Sequence, residues 1–114
     1  MPRIELARLY LESRHLALLQ ALLREHVPGA EVWAYGSRVG GGAHETSDLD
    51  LVLRDPADPR REPGGWLELK EALQASSLPI LVEVHLWSAL PEAFQREIER
   101  GYVVIQEGDG AVER

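Results

Sequence analysis

Two aspartates one residue apart, Asp48 and Asp50, follow a Gly36-Ser37-Arg38 turn, with ten residues between Ser37 and Asp48. On an extended strand alternate side chains share a face, so these carboxylates point one way while Leu49, Leu51 and Leu53 point the other. Carboxylates this close repel and raise one another's pKa unless a divalent cation lies between them. Mg²⁺ suits such a pair because it takes oxygen ligands, keeps several waters and is completed by substrate phosphates. The turn supplies the other half of that chemistry. Gly36 lets the backbone reach positive φ and approach a ligand closely. Loop amides and the Ser37 hydroxyl can then donate to phosphate oxygens, and Arg38 adds a planar cationic fork. Together these residues predict metal-dependent chemistry on a nucleotide.

A third acid is wanted, to complete a second metal position or to take a proton from the nucleophile. The run Ile80-Leu81-Val82-Glu83-Val84-His85-Leu86-Trp87 supplies Glu83, an acid inside an otherwise apolar strand, where it is costly unless paired or metal-bound. His85, two residues on, falls on the same face as a supporting partner or general base.

Alternation and breaker residues define the elements that must position these groups. Glu31–Tyr35, Asp48–Arg54, Ile80–Trp87 and Tyr102–Gln106 read as strands. Ile4–His26 has a long helical pattern stopped by Val27-Pro28-Gly29, Trp66–Ser76 is a second helix, and Pro91 opens a third that Gly101 ends. Residues 55–65 carry breakers throughout and form a loop. The expected architecture is a small α/β (α+β) domain over residues 1–114, with a mixed sheet of three to four strands, helices mainly on one face and a frayed tail over 107–114. Trp33 and Trp87 belong to its core, whereas His15, His26 and His44 read as surface residues. The first helix carries two leucine stripes, Leu11/Leu18/Leu22 and Leu16/Leu19/Leu23, wider than one sheet face requires, which makes it a candidate docking surface.

Composition narrows the choice. A net charge of −7 disfavours a large nucleic-acid footprint, which needs a basic surface. The absence of cysteine removes thiol nucleophiles and Cys-based zinc sites. No apolar run reaches the ~18 residues of a membrane span, and the start lacks a signal-peptide pattern, so a cytoplasmic protein is expected.

The chain resembles the minimal nucleotidyltransferases of the DNA polymerase β superfamily. Their pattern of Gly-Ser, ten residues and Asp-x-Asp stands here as Gly36-Ser37 and Asp48-Leu49-Asp50. Arg38 matches the basic residue after the serine and Ser47 the serine before the first aspartate. Val82-Glu83-Val84-His85-Leu86-Trp87 matches a later Val-Asp-x-x-x-Trp strand with glutamate for aspartate, and Gly40 stands where many relatives have a second basic residue. The resemblance runs from Val32 to about Ile105. It implies a polymerase-β-like fold, with catalytic and metal-holding roles for Asp48, Asp50 and Glu83 and phosphate binding by Gly36, Ser37, Arg38 and Ser47. It also implies ATP as substrate, two Mg²⁺ ions, and AMP transfer to an acceptor hydroxyl. The implied acceptor is a tyrosine on a partner HEPN-domain toxin, which makes the chain an AMPylating antitoxin. Two alternatives stay open: a non-catalytic nucleotide- or partner-binding subunit, and nucleotidyl transfer to a small molecule. A homo-oligomer also stays open.

Overall fold

Five strands build one mixed sheet in the order β1-β5-β2-β3-β4, which the computed structural model describes through residues 3–40 and 47–108. The strands are β1 (Arg3–Ile4), β2 (Glu31–Tyr35), β3 (Leu49–Arg54), β4 (Val82–Leu86) and β5 (Tyr102–Gln106). The helices are α1 (Ser13–His26), α2 (Ser37–Gly40), α3 (Trp66–Ala75) and α4 (Glu92–Glu99). The expected α/β class holds, but the sheet has five strands instead of three to four. The additional strand is the short β1, paired in parallel with β5 through Arg3–Tyr102 and Ile4–Val103.

Alternation along each strand divides the sheet into two faces. Val32, Ala34, Leu49, Leu51, Leu53, Val103 and Ile105 enter the larger core, where Leu19 and Leu23 of α1 and Leu69 and Leu73 of α3 cover them. Trp33, Tyr35 and Val52 lie on the other face with Trp87 and with Ile98 of α4. Two helices therefore cover one face and the short α4 part of the other. Arg54 lies on the α4 side between two indoles, 5.0 Å from the Trp33 ring and 5.1 Å from that of Trp87, and is ion-paired with Glu31.

The helical pattern expected over Ile4–His26 is broken in two. Only Ser13–His26 is α-helix; Ile4 pairs in β1, and Leu6–Arg8 forms a 3₁₀ turn. The apolar spacing is locally helix-like, but Leu9 is drawn into the core and the Tyr10 N–H donates to the Arg38 carbonyl at 2.8 Å. Long-range pairing thus overrides local propensity. Leu19 and Leu23 are fully buried, and Leu11, Leu16 and Leu22 pack partly against the same core. The leucine stripes that suggested a docking surface are used largely inside the chain.

β3 begins at Leu49, so Asp48 precedes the strand proper. After Gly36 the chain turns into the single helical turn α2, where an open loop was expected. Gly41, Gly42, His44 and the tail from 109 onward, all read from sequence as loop or frayed segment, lie outside the described residues.

Leu51 is fully buried on the face opposite Asp50, so its packing fixes which way Asp50 points. Leu51→Ala should lower stability by about 2–5 kcal/mol through cavity formation, read from the denaturation midpoint.

Candidate active site

β2, β3 and β4 are hydrogen-bonded side by side, and their register sets the site. Tyr35 is directly opposite Asp50 on the antiparallel β2–β3 ladder, and Asp50 is opposite Glu83 on the parallel β3–β4 ladder. A row of phenol, carboxylate and carboxylate thus crosses three strands on one face. His85 shares this face one alternation beyond Glu83, and its ring centroid is 6.2 Å from that of Tyr35. Phe94 of α4 meets Tyr35 edge-on at 5.8 Å.

Gly36 turns the chain at the end of β2 with φ of 90°, a conformation that glycine adopts readily. A Cβ at this position would stand 2.8 Å from Asp50 Oδ2. The Asp50 carboxylate is therefore laid against the Gly36 backbone, leaning toward β2, and the glycine makes room for it. Ser37 follows, exposed to solvent, while Asp48 is exposed and Ser47 partly buried at the start of β3.

The electrostatics of the row are unfavourable in the protein alone. Burial raises the Asp50 carboxyl above the ordinary carboxylate range; His85 counters this, while the charges of Glu83 and Asp48 push it further up. Tyr35 is pushed up to about 12 by burial and then by Asp50 and Glu83. Among the described residues, no lysine or arginine forms an ion pair with Asp48, Asp50 or Glu83, and none of the three accepts a hydrogen bond. Nor do any three acidic or imidazole groups among those residues converge closely enough to cage a metal unaided. An all-oxygen donor set, partly desolvated and with no lysine or arginine paired to it among the described residues, nonetheless fits Mg²⁺, which takes a few carboxylates and completes its shell with water and phosphate.

Arg38 lies elsewhere than its expected place as an outward phosphate fork. It is 4% exposed, its Nε donates to the Ser47 carbonyl at 2.9 Å, and its Nη1 donates to the Tyr10 carbonyl. The guanidinium also lies 5.4 Å from the Tyr10 ring centroid. Arg38 thus ties the residue before Asp48 to the chain preceding α1. A groove of about 1040 Å³ opens beside it, lined in part by Tyr10, His15 and Ile80, and none of the three acids lines it.

The structure brings Gly36, Asp50, Glu83 and His85 together with Ser37, Ser47 and Asp48 at the adjoining chain ends. Sequence reasoning missed Tyr35. Its position before Gly36 was visible, but its place opposite Asp50 depends on strand register.

Gly36→Ala should destabilise the fold by about 1–2 kcal/mol from the positive φ alone, and should displace Asp50; a denaturation curve and nucleotide binding would check both. The raised Asp50 carboxyl yields a second expectation. The charged form is penalised in the folded state, so the penalty is present at neutral pH and disappears as pH falls to where both states are protonated. Without Mg²⁺, Asp50→Asn should therefore melt above the unmodified chain at pH 7, and the gap should close toward about pH 4.

The sequence has counterparts among known proteins. A family model for the nucleotidyltransferase domain matches residues 17–107, a span that includes the Gly36 turn, all three acids and β5. A Haemophilus influenzae protein named probable protein adenylyltransferase MntA is 40% identical over 111 residues, covering 95% of this chain and 93% of its own length. No helix among the described residues is long and apolar enough to cross a membrane. With the sheet, the glycine turn and the facing acids in place, the chain belongs to the nucleotidyltransferase domain family.

Proposed function

We propose that this nucleotidyltransferase transfers AMP from ATP to a hydroxyl on a partner protein, a tyrosine of a HEPN-domain toxin, and so acts as an antitoxin. The observation that carries this reading is the Asp50–Glu83 register: two facing carboxylates beside a glycine turn, with no lysine or arginine ion-paired to them among the described residues. The similarity to a protein named an adenylyltransferase supports AMP as the group and a protein as the acceptor.

Asp48, Asp50 and Glu83 would hold Mg²⁺. When bound, the metal supplies positive charge to the triphosphate and lowers the pKa of a coordinated oxygen. Gly36 gives the triphosphate access to the backbone, and the Ser37 hydroxyl and nearby amides donate to its oxygens. Ser47 stands at the same end, and Arg38 contributes from beneath by holding the Ser47 carbonyl. The acceptor oxygen attacks the α-phosphorus, a new O–P bond forms, the bond to the β-phosphate oxygen breaks, and pyrophosphate leaves. Glu83 or His85, on the site face, takes the acceptor's proton. Nearly all of the rate would come from placement and charge.

A second reading, a nucleotide-binding subunit without turnover, is favoured by the failure of three acids to converge into a cage among the described residues. Pyrophosphate release separates the two readings. With α-phosphate-labelled ATP, Mg²⁺ and the source cell's lysate, the unmodified chain should label a protein band. Asp48→Asn/Asp50→Asn should lose the band by at least ~10²-fold while remaining folded. Retained labelling by that variant would sink the reading.

A further inference from the structure

We propose that the free edge of β4 pairs antiparallel with β4 of a second copy of this chain, in the register that sets Glu83 of each copy against His85 of the other. Self-association of this kind does not depend on the nucleotidyl-transfer reading, although it brings an imidazole of the partner to the end of the acidic row.

β4 is the outermost strand on its side of the sheet, five residues long, and all five are partly exposed. The Leu81 carbonyl accepts from the Leu49 N–H at 2.9 Å. Backbone groups alternate sides along a strand, so Leu81, Glu83 and His85 direct theirs to β3, while Val82, Val84 and Leu86 direct their N–H and C=O groups outward. Among the described residues none of those outward groups has a hydrogen-bond partner. Natural edges of this length are commonly guarded by proline, lysine or a bulge. β4 contains neither proline nor lysine, and its register against β3 runs without a shift from Val82 to Leu86. The opposite edge, β1, is two residues long and needs no such guard.

The outward groups select the register. They must meet other outward groups, which restricts the pairing to alignments two residues apart. Centred on Val84, the pairing sets Val82 against Leu86 and uses every outward group on both strands. It also sets Glu83 against the partner's His85, at the non-hydrogen-bonded position where side chains lie closest. An imidazole N–H donates to a carboxylate whether or not the ring is charged. One step either way places Glu83 against Glu83, or His85 against His85, and leaves groups at a strand end unpaired; like charges directly opposite are destabilising. The second face agrees. Val82, Val84 and Leu86 pack at the margin of the larger core, which the same residues of the partner would continue. Leu81, at the head of the strand, is an apolar side chain left 54% exposed at this margin. A two-fold antiparallel pairing closes with two copies, because each has then used its β4 edge.

Sedimentation of the full chain without nucleotide, over a range of concentrations, reads the association. We expect a reversible monomer–dimer equilibrium; a monomer at every concentration up to about 1 mM would overturn the proposal. Val84→Pro removes an outward N–H and no bond to β3, a change that an edge strand accepts. It should raise the dissociation constant by ~10-fold or more, with the circular dichroism of the fold kept. A second pair of variants tests the register through side chains alone. His85→Glu sets acid against Glu83 and should also weaken the dimer, and adding Glu83→His, which exchanges the two partners, should restore it. A dimer that persists unweakened in Val84→Pro or in His85→Glu, or an exchange variant that stays weak, would overturn the proposed pairing.

Discussion

The leucine side of β3 governs everything on its other side. Leu49, Leu51 and Leu53 have almost no accessible surface, and a slip of one residue would carry all three out of the core and turn Asp50 inward. Hydrophobic burial thus fixes the register of β3 against β2 and β4. That register, in turn, makes neighbours of Tyr35, Asp50 and Glu83, which lie far apart in the chain. The site is a by-product of a core that tolerates only one alignment.

The polar face is held in a state of electrostatic tension. Asp50 is pushed toward protonation by burial and by its acidic neighbours, with His85 as the opposing influence. The two best-buried arginines near the sheet are committed elsewhere, Arg38 to backbone carbonyls and Arg54 to Glu31 between two tryptophans. Neither of them offsets the acidic row, which leaves His85 as the group that lowers the Asp50 carboxyl. A row of mutually repelling acids is the kind of local destabilisation that function often retains, at a cost borne by the surrounding core.

Much of the frame was legible in the sequence, because alternation is a local property. β2 and β5 run over the residues that their patterns indicate, and the Gly36 turn, the acidic strand and the Pro91–Gly101 helix fall where the signals lie. What escaped was non-local. Ile4 and Leu9 have helix-compatible spacing but are claimed by β5 and by the core, so the first helix starts late. Arg38 looked like a ligand fork because nothing in the sequence says that the Tyr10 and Ser47 carbonyls would be waiting for it. Tyr35 was passed over because pairing register cannot be read from one strand alone.

The order of the strands has a consequence for how the molecule comes into being. β5 lies between β1 and β2, although it is the last strand in the chain. During synthesis β2, β3 and β4 can pair as soon as they emerge, and with them the row of Tyr35, Asp50 and Glu83. β1 has no neighbour until β5 arrives about a hundred residues later, a long loop to close. Until then the open edge of β2 exposes unpaired N–H and C=O groups beside the acidic row. The strand order thus lets the acidic row pair from three consecutive strands, while the other edge of the sheet depends on the last one.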